Sequence, residues 1–203
     1  MKTTPDFEFE KKKPGPVCGV DEVGRGPWAG PVMAAAVILD PSNIPAGLND
    51  SKKLSIARRE TLFGEIMATA TVSIGSASVA EIDKINILQA TFLAMKRAVE
   101  GLGIAPAFAL IDGNKTPPWL PCEAQAIVKG DSRSASIAAA SIIAKVTRDR
   151  LMCDLSAQFP GYGWQTNMGY GTKAHQEGLA QLGVTPHHRV SFKPIHKMLC
   201  EEN

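Results

Sequence analysis

Apolar residues in this chain fall into short continuous runs set between longer stretches with helical spacing. Residues 17–20 and 32–39 are two such runs on either side of a glycine-rich turn, and their length and Gly/Pro boundaries predict two strands of a hairpin. Ser55 then precedes a segment with Leu62, Phe63, Ile66 and Met67 at core-facing spacing, which predicts a capped amphipathic helix. Residues 71–77 predict a third strand. The capping-box pattern Ser78-Val79-Ala80-Glu81 opens a second helix, carried by Ile87, Ala90, Ala94, Met95 and Ala98 and stopped near Gly101 and Gly103. Two further apolar runs, 107–111 and 124–128, lead into Asp112-Gly113 and Lys129-Gly130-Asp131. Residues 132–155 carry Ile137, Ala140, Ser141, Ala144 and Arg148 among many small residues, as a helix lying close against a sheet requires. Glycine and aromatic residues dominate 159–170, which predicts a loop, followed by a short helix from about Lys173 and an irregular tail.

Early strands in a meander and later strands alternating with helices predict a mixed α/β sheet. Three of the predicted strands end at Asp21, Asp112 and Asp131, and sites in open α/β sheets gather beyond the carboxyl ends of strands. These aspartates are therefore expected to converge.

Composition narrows the class without naming it. A chain of 203 residues with 44% hydrophobic and 21% charged positions suits one globular domain, taken as residues 17–203, preceded by a polar, flexible tail over residues 1–16. The longest apolar run, 32–39, is too short to span a bilayer, and the polar N-terminus with Lys11-Lys12-Lys13 does not resemble a secretory signal. A soluble, cytoplasmic monomer with no membrane association is expected. Cysteines at 18, 122, 153 and 200 form no Cys-x-x-Cys pair and have no histidine at zinc-like spacing, so they read as reduced thiols. With a net charge of only +2, any site for a polyanion must be built from local clusters.

The candidate chemistry starts at Asp21-Glu22-Val23-Gly24-Arg25-Gly26. Oxygen-only carboxylate sites prefer magnesium or manganese over zinc, and two such ions about 4 Å apart suit hydrolysis of a phosphodiester. Adjacent strand residues face opposite ways, so Asp21 and Glu22 share one site only if the strand ends or bulges there. Asp131 directly precedes a predicted helix, whose dipole would favour its ionised form. Each element has an ordinary alternative: Asp131 as a helix cap, Asp112-Gly113 as a plain turn, Gly24-Arg25-Gly26 as a hairpin turn with a solvated arginine. The glycines at 24, 26 and 30 do not have the dinucleotide-binding spacing, which disfavours a nucleotide cofactor. Lys52 and Lys53, Lys129, and Lys145 with Arg148 and Arg150 can line a groove that tracks a nucleic-acid backbone. Tyr170 can stack on a sugar or base. His187 and His188 are assigned a structural role.

Taken together, Val20-Asp21-Glu22-Val23-Gly24-Arg25-Gly26-Pro27, Ala29-Gly30-Pro31, Asn49-Asp50-Ser51-Lys52, Asp112-Gly113, Lys129-Gly130-Asp131, residues 139–146, Gly169-Tyr170 and His188-Arg189-Val190-Ser191-Phe192 resemble bacterial ribonuclease HII, a type 2 ribonuclease H. The blocks run in that family's order over residues 17–192, with Trp28 where leucine is common. The resemblance implies a ribonuclease H-like fold: a mixed five-stranded sheet flanked by helices, with a helical C-terminal extension. It implies endonucleolytic cleavage of RNA in RNA–DNA hybrids and incision 5′ of single ribonucleotides in duplex DNA, with two ions of Mn2+ or Mg2+, leaving 3′-hydroxyl and 5′-phosphate ends. Asp21, Glu22, Asp112 and Asp131 match the family's acidic quartet. Gly24, Arg25 and Gly26 match the loop that inspects the ribose 2′-hydroxyl, Tyr170 the tyrosine that stacks on the following deoxyribose, and Lys52 and Lys129 positions near the substrate backbone. An exonuclease or transposase of the same broad fold is the nearest rival, but the exonuclease pattern separates its first two acids by one residue. A non-catalytic hybrid-binding module would lack at least one acid. No Gln-x-x-hydrophobic-x-x-aromatic motif of the kind that docks on sliding clamps is found at the C-terminal end.

Overall fold

In the computed structural model, which describes residues 4–201, the chain forms in order α1 (Glu8–Lys11), β1 (Val17–Val23), β2 (Val32–Ile38), α2 (Ile56–Thr69), β3 (Thr71–Ala77), α3 (Val79–Glu100), β4 (Phe108–Asp112), β5 (Glu123–Ile127), α4 (Ala135–Gln158), α5 (Trp164–Asn167), α6 (Lys173–Leu182) and α7 (Lys193–Glu201). The strands make one five-stranded sheet in the order β3-β2-β1-β4-β5. β1–β2 and β2–β3 are antiparallel, as the hairpin reading required, and β1–β4 and β4–β5 are parallel. This is the mixed five-stranded sheet with flanking helices of a ribonuclease H-like α/β fold.

Each sheet face buries one set of alternating side chains. Cys18, Val20, Ala34 and Ala36 pack under α3 with Ala90, Ala94 and Ala98, while Ala35 and Val37 pack under α2 and α4 with Leu62, Ile66, Ala139 and Ile143. The small residues of α4 have the predicted reason. Gly19 meets the α4 backbone so closely that an added Cβ would lie 2.1 Å from the Ser136 carbonyl carbon. Ser55, Ser78 and Ser134 cap α2, α3 and α4, and Ser78 with Glu81 completes the capping box.

Several boundaries differ from the sequence reading for identifiable reasons. β1 does not end at Asp21; pairing of Glu22 with Ala34 and Val23 with Met33 carries it on to Val23. Asp131 does not end a strand either, but sits in a single 3-10 turn, Gly130–Ser132, between β5 and α4. Within α3, Asn86 is non-helical (φ 68°), and its Oδ1 accepts the N–H groups of Leu88 and Gln89 to restart the helix. Met67 is exposed rather than in the core. The loop over 159–170 contains α5, and the expected irregular tail contains α7, where Pro194 is tolerated in the first turn and Ile195, Met198 and Leu199 turn one face toward Trp164 and Leu179. Residues 4–16, expected as a flexible tail outside the fold, are docked on it: Phe7 and Phe9 pack against the core and Glu10 is buried. Residues 1–3 lie outside the described residues.

Candidate active site

The parallel register of β1 and β4 pairs Val20 with Ile111, so Asp21, two residues before β1 stops, lies beside Asp112 at the carboxyl end of β4. Asp131 reaches the same place from the 3-10 turn. One carboxylate oxygen from each of Asp21, Asp112 and Asp131 lies within 4.8 Å of the others. The turn is tied to its neighbour, because Asp112 Oδ1 accepts the N–H of Gly130 at 2.7 Å and that of Asp131 at 3.4 Å.

Glu22 is close but turned away. Strand alternation sends Asp21 toward α4, where Ser141 donates to its carboxylate, and Glu22 into a cleft shared with Asp112, Lys115 and the α3 residues Leu88, Phe92 and Met95. There Arg25 Nη1 approaches Glu22 Oε1 at 3.4 Å. The condition set by the sequence, that the two acids share one site only where the strand ends or bulges, is resolved differently: Asp112 adjoins both faces.

Crowding of like charges shows in the protonation equilibria. Burial, and then Glu22 and Asp112, push Asp21 well above the usual carboxylate range. Glu22 is raised by burial against the pull of Arg25, and Asp131 by burial and then Asp112 and Asp50 against Lys52 and Lys53. The helix-dipole expectation for Asp131 therefore fails, since α4 begins at Ala135 and is capped by Ser134. Lys52 lies within the field of this cluster: burial would lower it, but Asp21, Asp50, Asp131 and Asp112 raise it. Lys129 takes a left-handed conformation (φ 55°) and is exposed at the edge of the Asp131 turn.

Gly24, Arg25 and Gly26 form the turn after β1, with Arg25 and Gly26 at the surface. Gly24 has φ 93°, and a Cβ there would lie 2.3 Å from Arg148 Nε; a Cβ on Gly26 would lie 3.2 Å from the Tyr170 ring. The turn and the half-exposed Tyr170 thus share one surface beside the acids.

A family model described as Ribonuclease HII matches residues 18–195. The chain belongs to the ribonuclease HII family. A ribonuclease HII of Jannaschia sp. (strain CCS1) is 64% identical over 196 residues, covering 97% of this chain and 98% of that one. Among solved structures, the ribonuclease H2 of Pyrococcus horikoshii OT3 aligns with a TM-score of 0.76 at 28% identity, covering 91% of this chain and 97% of that one. The RNase HII in the PCNA:RNase HII complex of Archaeoglobus fulgidus aligns with a TM-score of 0.69 at 28% identity, covering 87% and 95%. Ribonuclease HII enzymes are endonucleases acting on RNA–DNA hybrids, and the family works with a divalent metal. The residues here fit such an ion: three carboxylates offer hard oxygen donors, and the burial that resists charge on Asp21 is what a dication would offset.

The ribonuclease HII framework also exposes what sequence reasoning missed. Arg148, expected to line a groove, is fully buried and donates to the carbonyls of Ala29, Pro31 and Met168 at 2.9–3.0 Å. Arg189, given no role, donates to the carbonyls of Gly24 (2.6 Å), Arg25 (3.0 Å) and Gly30 (2.7 and 2.9 Å). Burial lowers Arg148 to about 10 and Arg189 to about 9, so both remain cationic at neutral pH. Lys145 and Arg150 are also accounted for within the fold, paired with Asp149 and Glu60. The only signal for the buried arginines was their position, Arg148 within an apolar helix and Arg189 inside the family-like block His188-Arg189-Val190-Ser191-Phe192.

His188, one of the two histidines assigned a structural role, is buried in a hydrogen-bonded network with His175, a residue given no role, and their tautomers follow from their partners. Thr185 N–H donates to His188 Nδ1 (2.9 Å), so His188 Nε2 carries the proton and donates to His175 Nε2 (3.0 Å). His175 Nε2 also accepts from Trp164 Nε1 (3.1 Å), leaving His175 Nδ1–H to donate to the Tyr170 carbonyl (2.9 Å). Among the described residues, no helix is long and apolar enough to cross a membrane.

Proposed function

We propose that this ribonuclease HII incises duplex DNA on the 5′ side of single embedded ribonucleotides as well as cutting long RNA–DNA hybrids, leaving 3′-hydroxyl and 5′-phosphate ends. The observation that carries the reading is the meeting of Asp21, Asp112 and Asp131 oxygens within 4.8 Å, from two neighbouring parallel strands and an adjoining turn. In this reading these three acids and Glu22 hold two divalent ions, Mn2+ or Mg2+. When bound, such ions polarise an attacking water and offset charge on the departing 3′-oxygen.

The chain's own residues supply placement. Arg189 occupies the carbonyl edge of the Gly24-Arg25-Gly26 turn, which leaves the opposite, amide edge to meet a ribose 2′-hydroxyl. Glycine at 24 lets the turn close onto Arg148 and glycine at 26 leaves room for the Tyr170 ring, and Tyr170, in reach of Gly26, stacks on the next sugar. A deoxyribose offers no 2′-hydroxyl to this turn, and a site built around a hydroxyl rejects the analogue lacking it strongly. Lys52 and Lys129 flank the acids and follow the phosphate backbone.

The test is incubation of the purified protein, with Mn2+ or Mg2+, on a duplex containing one ribonucleotide. Cleavage at its 5′ side, lost in Asp21→Asn and Asp112→Asn variants that remain folded, is the expected result. An intact duplex with folded wild-type protein overturns the reading.

A further inference from the structure

Residues 4–16 precede the 18–195 span that the family model matches, and they grip the segment that carries Asp131. Asp6 bridges in parallel to Ser134: its N–H donates to the Arg133 carbonyl (3.2 Å), and its carbonyl accepts from the Ala135 N–H (2.8 Å). Glu10, almost wholly buried, places one oxygen among three donors, the hydroxyl of Ser134 (2.5 Å), the N–H of Ser136 (3.0 Å) and the Ser136 hydroxyl. Its other oxygen is buried without a hydrogen-bond partner among the described residues, so the carboxylate is held here at a cost in desolvation. The Arg133 guanidinium lies over the Phe9 ring, 4.9 Å from its centre.

The gripped residues close the turn of Asp131. The N–H groups of Arg133 and Ser134 donate to the Gly130 carbonyl at 2.9 and 2.8 Å, and the Gly130 N–H donates to Asp112 Oδ1 at 2.7 Å. From Glu10 to two of the acids the path is continuous: carboxylate, Ser134, the Gly130 peptide, Asp112 and Asp131. We propose that the N-terminal segment is a strap that positions Asp131 against Asp112 for metal binding, with Glu10 as its positioning residue. This rests on the reading of these aspartates as metal ligands. Residues that orient ligands from behind typically change metal affinity by about 10–100-fold when removed.

Glu10→Ala is expected to weaken Mn2+ binding about 10-fold by calorimetry, and to speed amide hydrogen exchange at 130–134, while far-UV circular dichroism stays that of the wild type. Glu10→Gln, which keeps an acceptor for Ser134 and Ser136, is expected to restore most of the affinity, and Lys12→Ala to change nothing. Should Glu10→Ala fail to fold, Ser136→Ala carries the same expectation, because it removes one of the three donors. Unchanged Mn2+ affinity and unchanged exchange at 130–134 in a folded variant would overturn the strap while leaving the metal site standing. Wild-type protein that binds no Mn2+ would overturn both readings.

Discussion

Asp112 is the residue on which the site turns. It borders Asp21 along the sheet, accepts the Gly130 and Asp131 N–H groups, and lines the cleft that holds Glu22. Asp112→Asn keeps the shape but removes a charge, and is expected to lower cleavage by about 100-fold or more with the fold intact, checked by single-turnover rates and circular dichroism. His188 gives a pH prediction. Burial, and then His175, push it down to about 4 from 6.5, so between those values the unfolded chain binds more protons than the folded one. Its contribution to stability is therefore complete above about pH 6.5 and lost as pH falls toward 4. Melting temperature should fall through that window, and a folded His188→Gln variant should show a flatter profile. A profile as steep in the variant would contradict this assignment.

Among elements, the closest approach is that of β1 to α4. Gly19→Ala forces a Cβ into the Ser136 backbone, 2.1 Å away, where no flexible side chain can yield, and is expected to cost about 3 kcal/mol or more in denaturant unfolding. Arg189→Met leaves the carbonyls of Gly24, Arg25 and Gly30 without this donor and is expected to destabilise by about 1–3 kcal/mol or more. Elements with local signals were legible in the sequence: the hairpin, the bounds of β3 and the serine caps of α2 and α3 all follow from side chains within a few residues. Elements decided by distant partners were not. β1 passes through Asp21 because β2 keeps pairing with it, and Arg148 leaves the surface because the carbonyls of Ala29, Pro31 and Met168 need a donor. The acids were legible as types at apolar run ends, and strand alternation already sends Asp21 and Glu22 to opposite faces, but their bridging by Asp112 depends on a parallel pairing no local pattern contains.

At the scale of the molecule, the three aspartates store repulsion that a bound ion would relieve. Mn2+ at about 100 times its dissociation constant is expected to add about 2.7 kcal/mol of stability, read as a rise in melting temperature that chelation reverses and Asp112→Asn abolishes. The sheet order has a further consequence for the chain as it is made. β1 takes β2 as a neighbour within a few residues, but its other neighbour, β4, begins at Phe108, and the turn bearing Asp131 and the clamp of Arg189 follow later still. A nascent chain that has released only its first hundred residues holds Asp21 and Glu22 with nothing to complete them. On the proposed reading of the acids, a nascent chain is expected to cut only after the segments bearing Asp112, Asp131 and Arg189 have left the ribosome and joined the first two strands.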